Sequence, residues 1–268
     1  QIESGTSFSG YCGGTYVPDD NFENYLETHD ENGNVVSLGD ANSMGNGIAN
    51  DDYVTTAAIS SVTLLNIANR SIADLMGIEA FTALETLTAN NNSLSAVDVS
   101  SNTTLTTLNL NYNNNITAID VSQLTSLERL ELANLQITAI DLNNNTALKH
   151  VNLGQTKIST VDFSNNPNLE VITFGIVNLL KTINLKNGNN ENITTFSFLS
   201  TSNISCINVD NVSNAISKWS SIDRDKFSEY CFDTYVPDNN FEAFLEANGM
   251  GNGIANDDYV TTTNISSV

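Results

Sequence analysis

Leu105-Thr106-Thr107-Leu108-Asn109-Leu110, followed by Ile116-Thr117-Ala118-Ile119-Asp120-Val121, returns almost letter for letter as Leu127-Glu128-Arg129-Leu130-Glu131-Leu132 and Ile137-Thr138-Ala139-Ile140-Asp141-Leu142. Outward from this pair, the first residue of the pattern has counterparts at Val62, Leu84, Leu105, Leu127, Leu148, Leu169 and Ile193, spaced by 22, 21, 22, 21, 21 and 24 residues. A unit this short cannot bury its own apolar face, so seven copies at a nearly fixed spacing imply stacking on one another.

A spacing of roughly 20 to 29 residues with L-x-x-L-x-L in each copy is the signature of a leucine-rich repeat solenoid. Each turn is expected to carry a parallel strand in L-x-x-L-x-L and a second strand, on the opposite side, in I-T-A-I-D-V. At about 4.8 Å per turn, seven turns make a core of roughly 34 Å. Leu65, Leu87, Leu108, Leu130, Val151, Ile172 and Phe196 should point inward, flanked by Ile67, Ala89, Leu110, Leu132, Leu153, Phe174 and Phe198.

A longer repeat overlies the short one. The run Thr15-Tyr16-Val17-Pro18-Asp19-Asp20-Asn21-Phe22-Glu23 reappears 219 positions later as Thr234-Tyr235-Val236-Pro237-Asp238-Asn239-Asn240-Phe241-Glu242, and Met44 to Val54 reappears verbatim as Met250 to Val260. The shorter second offset reflects an insertion around Asp30 to Asn42 in the first copy. The chain is therefore read as a window onto a tandem array. Residues 1–14 end a preceding block, 15–61 form an N-terminal cap, 62–205 hold the repeats, 206–231 form a C-terminal cap, and 232–268 begin the N-terminal cap of the next block.

The caps have their own signals. Pro18-Asp19-Asp20 starts a helix whose Phe22, Tyr25 and Leu26 share one face, suited to covering the open end of the solenoid. The stretch 206–231 breaks the short period and carries the sole tryptophan, Trp219, with Ile216, Ile222 and Phe227. Cys206 and Cys231 should close it as a disulfide. Cys12 stands where Cys231 stands, so it either pairs with a cysteine of the preceding block or remains a free buried thiol. Disulfides imply an oxidising, extracellular setting, either secreted or at the cell surface.

The chain has 31 acidic and 9 basic residues, a net charge of −22. That field disfavours nucleic acid and anionic membranes, and no run is apolar enough for a membrane span. Function is expected on outward positions of the strand face, where Thr107, Asn109, Arg129, Glu131, Lys149, His150 and Asn152 interrupt an otherwise small and polar strip. The alternative is an ordinary solvated face. Opposite it, Asp98, Asp120, Asp141 and Asp162 should cap the turns that follow them. Beside them the regular Ser95, Thr117, Thr138 and Ser159 column raises a minor ice-binding reading.

Two acidic loops offer hard oxygen donors for calcium: Asp30, Asn32 and Asn34 with Asp40, and Asn50, Asp51 and Asp52. Simple turn chemistry is the alternative. No other cofactor is indicated. The chain has two imidazoles, His29 and His150, and neither lies in a catalytic motif, so the sequence reads as non-enzymatic.

Tyr16-Val17-Pro18-Asp19-Asp20-Asn21-Phe22-Glu23, Asn50-Asp51-Asp52-Tyr53-Val54, the I-T-A-I-D-V-S repeats and Cys206-Ile207-Asn208-Val209-Asp210 through Phe227-Ser228-Glu229-Tyr230-Cys231 together resemble tandem-block surface leucine-rich repeat proteins of Bacteroidota, flavobacteria above all. Ile72-Ala73-Asp74-Leu75-Met76-Gly77-Ile78 is similar to repeats of the internalin kind. The resemblance implies export by the type IX route, display at the cell surface and a role in adhesion. The asparagine such repeats place after the strand is met at Asn92 and Asn113 and replaced by Leu135 and Thr156. The leading expectation is a fibre or stalk of blocks joined head to tail. The other is an adhesin module taking a glycan or protein on the strand face.

Overall fold

The computed structural model describes residues 13–199, 202–254 and 258–266. Cys12 and the rest of 1–12 lie outside the described residues, so the expected pairing of Cys12 does too. Seven strands, Leu64–Asn66, Thr86–Thr88, Thr107–Asn109, Arg129–Glu131, His150–Asn152, Val171–Gly175 and Thr195–Phe198, pair in parallel into one sheet. They run in step, so that Leu65, Leu87, Leu108, Leu130, Val151, Ile172 and Phe196 lie side by side and buried. Alternation along each strand turns these residues to the inside, and stacking satisfies the backbone between turns.

The opposite side differs from expectation. A second parallel sheet forms only in the later turns, from Thr160–Asp162, Thr182–Asn184, Cys206–Asn208 and Phe227–Ser228. The earlier segments 95–99, 117–121 and 138–142 contain no strand. There, asparagine carboxamides join the turns. Asn102 Nδ2 donates to the carbonyls of Ile78 and Phe81 at 2.8 and 3.1 Å, and Asn145 Nδ2 to those of Val121 and Leu124 at 2.8 and 2.9 Å. Two donors on one side chain satisfy two carbonyls of the neighbouring turn and tie the two turns together. Asn166 and Asn187 carry the same column onward.

The aspartates opposite the strand face cap their turns. The amides of Ser100, Ser122, Asn143 and Ser164 donate to Asp98, Asp120, Asp141 and Asp162 at 2.8–2.9 Å. Bonds from Ser100 and Ser122 hold the carboxyls of Asp98 and Asp120 below the usual range.

At the N-terminal end, Asp19 caps the helix Asp20–Glu27 by accepting the amides of Asn21 and Phe22 at 3.0 Å. Phe22, Tyr25 and Leu26 face the solenoid core, and Phe22 stacks on Phe81 with centroids 6.3 Å apart. Strand Gly14–Tyr16 pairs antiparallel with Tyr53–Thr55 behind the helix. At the other end, helix Val212–Lys218 delivers Trp219 between Phe196 and Phe227, at 4.9 and 5.9 Å. A disulfide joins Cys206 to Cys231 with an S–S distance of 2.03 Å.

The second copy of the cap repeats the first: helix Asn239–Ala247 capped by Asp238, and strands Asp233–Tyr235 and Tyr259–Thr261 paired antiparallel. Val236, Leu245 and Val260 form its small separate core. Residues 255–257 and 267–268 of this copy lie outside the described residues.

Candidate functional site

The strand face gathers four of the seven expected residues into one network and leaves three beside it. Glu131, on the outward side of its strand, is nonetheless buried. Its Oε1 lies 2.5 Å from Arg129 Nη2 and 2.9 Å from His150 Nε2. Its Oε2 accepts from Asn152 Nδ2 at 2.8 Å and Asn111 Nδ2 at 3.2 Å. Burial pushes this carboxyl up, but the bonds from His150, Asn152 and Asn111 and the Arg129 charge outweigh it and hold it at about 2.

Thr107 and Asn109 lie in register beside Arg129 and Glu131, while Lys149 turns aside to pair with Glu128 at 2.9 Å. Asn111 is a further member of the network that the repeat pattern does not mark. It sits past the strand end, where alternation no longer tells which way a side chain faces. The outward reading of Glu131 is corrected in one respect: its carboxylate is an internal anchor, and Arg129, 49% exposed, is the group it offers to solvent. His29, the other imidazole, is buried with Nδ1 2.9 Å from the Tyr25 carbonyl and its ring stacked on Tyr25 at 3.9 Å.

The acidic loops of the first cap use most of their oxygens internally. Asp30 accepts the amides of Asn32 and Asn34 at 3.0 and 2.8 Å and the Asn34 carboxamide at 3.0 Å. The Asn34 bonds draw its pKa down. Asp40 likewise takes the amide and carboxamide of Asn42 at 2.9 and 3.0 Å. Asp51 binds the Asn46 carboxamide and the Tyr53 amide. Asn50, with φ 57°, forms the left-handed bend. Among the described residues, the carboxylates that converge are Asp20, Glu23 and Asp52.

The verbatim Met44-Gly45-Asn46-Gly47 has a physical basis in Glu27. The buried Glu27 carboxylate accepts the amides of Asn46 and Gly47 at 2.5 and 2.8 Å, and a Cβ on Gly45 would overlap it. In the second copy Glu246 accepts the amides of Asn252 and Gly253 at 2.6 and 3.0 Å, and Gly251 stands where Gly45 does.

The seam between first cap and first repeat is built from both sides. Asp19 Oδ2 accepts the amides of Ala73 and Asp74 at 2.7 and 3.1 Å, so one carboxylate caps the helix and ties it to the solenoid. Asn21 Nδ2 donates to the Ser71 carbonyl at 3.2 Å, and the Arg70 guanidinium lies 5.0 Å above the Tyr25 ring. In the second copy the same helix face is open: Phe241 and Phe244 are 54% and 56% exposed, where Phe22 and Tyr25 are 0% and 4%. They line an apolar groove of about 520 Å³ with Val236, Leu245, Met250 and Ile265.

No protein-family model matches the sequence, and no curated protein matches it. Among solved structures, the functional domain of InlJ from Listeria monocytogenes, described as including a cysteine ladder, aligns over 73% of this chain at 22% identity with a TM-score of 0.53. The chain spans 44% of that structure's length. An internalin C2 of the same organism aligns over 73% of this chain and 97% of its own, at 17% identity and a TM-score of 0.44. A leucine-rich repeat protein of Leptospira interrogans aligns over 45% of this chain and 32% of its own, at 20% identity and a TM-score of 0.38. The likeness to InlJ shows the leucine-rich repeat fold. Among the described residues no helix is long and apolar enough to cross a membrane.

Proposed function

We propose that this chain is a block of an extracellular tandem-repeat protein whose blocks dock head to tail into a surface stalk used in adhesion. One observation carries the reading. The apolar helix face that the first cap buries against the repeat at 70–81 is presented, with the same residue pattern, by the second cap. Its natural occupant is a repeat turn of the same kind, with a backbone for Asp238 to bind as Asp19 binds Ala73 and Asp74. The junction also favours stiffness over a hinge. It is short and has no glycine or serine, Cys231-Phe232-Asp233-Thr234, where flexible linkers are rich in both. Disulfide closure at Cys206–Cys231 suits an oxidising compartment. Electron microscopy of the native full-length protein tests this reading: straight rods with a regular block repeat are expected, and freely hinged beads would overturn it.

A second reading has its own support in the Arg129, Glu131 and His150 network. Anchoring a half-exposed guanidinium on a buried carboxylate fixes a cation on an otherwise small and polar face. Such a group suits a glycan carboxylate or an acidic protein surface, with repetition of the block adding avidity. Binding to a glycan array or to matrix proteins, lost in Arg129→Ala, is the expected result. Equal binding by the variant would remove the strand face from consideration.

A further inference from the structure

We infer that Asp20, Glu23 and Asp52 hold a calcium-class divalent cation where the cap helix meets the loop 44–52. One oxygen from each lies within 4.8 Å of the others, Asp20 from the solvent side, Glu23 from beneath and Asp52 from the loop. Of the neighbouring carboxylates, Asp19 is engaged with four backbone amides, and Asp51 holds the Asn46 carboxamide and the Tyr53 amide while lying against Glu23.

Glu23 supplies the independent argument. It is fully buried, its Oε1 accepts the Asp51 amide at 3.1 Å, and its Oε2 is sealed from solvent with no hydrogen-bond partner of normal geometry. None of the ion pairs among the described residues involves Glu23, Asp20 or Asp52. Burial, and after it the adjacent Asp51 carboxyl, raise the Glu23 pKa, with the amides of Asp51 and Asp52 pulling the other way. A buried carboxylate oxygen beside two more carboxylates is stabilised by a hard cation taking oxygen ligands. The frame is fixed in advance: Asp52 is held left-handed at φ 64°, and its carbonyl accepts the Val17 amide at 2.8 Å. Oxygen ligands open to solvent on one side, where water can complete the shell, suit calcium better than the strict octahedron of magnesium.

The second cap has Asn239 in place of Asp20, with Glu242 and Asp258 in the other two positions, so one carboxylate fewer. The inference therefore requires a single strong site in this chain. Calcium titration calorimetry and thermal melts of the chelator-treated chain in about 0.15 M NaCl test it, the salt screening the diffuse acidic field. One site per chain with a Kd of about 10⁻⁶ to 10⁻⁴ M, and a rise in Tm with calcium, are expected. Asp20→Asn, at an exposed position, should fold normally, weaken calcium at least about tenfold and abolish the Tm rise. Asp225→Asn, distant from the cluster, should bind like the parent. No heat and no Tm shift at millimolar calcium would overturn the inference. So would magnesium binding in preference to calcium, or equal losses in the two variants, which would reduce the effect to bulk charge.

Discussion

Tyr230 and Tyr259 stack face to face, with ring centroids 4.1 Å apart and planes 10° from parallel. Tyr230 directly precedes Cys231 at the end of the C-terminal cap, and Tyr259 lies in the hairpin of the following cap. Lys186 Nζ sits 5.4 Å from the Tyr230 ring centre and donates to the Glu229 carbonyl at 3.1 Å. The link between solenoid and second cap is thus an aromatic contact backed by a cation.

Tyr230→Ala removes that contact while leaving the hairpin's own Tyr235 and Tyr259 pair intact. Such a pair contributes about 0.5–1.5 kcal/mol beyond its buried area. The expected result is faster amide exchange in 233–266 and a broader distance distribution in small-angle scattering, with the solenoid melting as before. Unchanged exchange would show that the short connection alone sets the geometry.

Glu131 predicts acid sensitivity. Its folded pKa of about 2 lies below its ordinary 4.5, so its stabilisation is complete above about 4.5 and is lost as pH falls through about 2. The shift corresponds to about 2–3 kcal/mol once screening around the half-exposed Arg129 is allowed for. Glu131→Gln should lower stability at neutral pH by that order and flatten the dependence between pH 4.5 and 2. Denaturant midpoints at pH 7, 4 and 2.5 would measure both effects. An unchanged pH profile in the variant would assign the acid response to other carboxylates.

Gly77 and Gly39 separate packing from backbone strain. Both have positive φ, +100° and +77°, but a Cβ at Gly77 would lie 2.8 Å from the Tyr16 carbonyl oxygen and from Val17 Cγ2, whereas Gly39 has open space around it. Gly39→Ala should cost about 1 kcal/mol, the strain of a left-handed alanine. Gly77→Ala adds an overlap with backbone that cannot swing away, and should cost about 2–4 kcal/mol. Equal costs in thermal melts would mean that the cap and the first repeat separate readily.

Much of this was legible in the sequence, because a period of 21 or 22 residues fixes which side chains stack. The inward leucines from Leu65 to Leu130, the cap helix after Asp19 and the turn-capping aspartates follow from spacing and elementary turn chemistry. Three features did not. Asn102, Asn145 and Asn166 each stand three residues before an anchor leucine, a signal visible in the sequence, but that they bridge to the preceding turn depends on which carbonyls come within reach. The Glu27 carboxylate docked against Gly45 joins positions 18 apart with no periodic relation, and the verbatim Met44-Gly45-Asn46-Gly47 says only that something constrains the loop. Glu131 escaped for a third reason. Alternation faces it outward, and only neighbours from adjacent turns enclose it.

The Cys206–Cys231 bridge closes a loop spanning 25 residues, which in the chain-entropy model contributes about 3.5 kcal/mol to holding the C-terminal cap. Cys206 begins the strand Cys206–Asn208, whose Ile207 pairs with Phe227, and Phe227 in turn covers Trp219. Reduction therefore releases a lid from the last aromatic layer of the core and leaves the seven-stranded sheet in place. Trp219 is the chain's sole tryptophan, so its emission reports on that lid alone. Reductant, or Cys231→Ser, should shift the emission to the red and lower the cap's melting temperature while the far-ultraviolet dichroism of the solenoid persists. An unshifted emission maximum after full reduction would mean that Phe196, Trp219 and Phe227 hold the cap by packing alone.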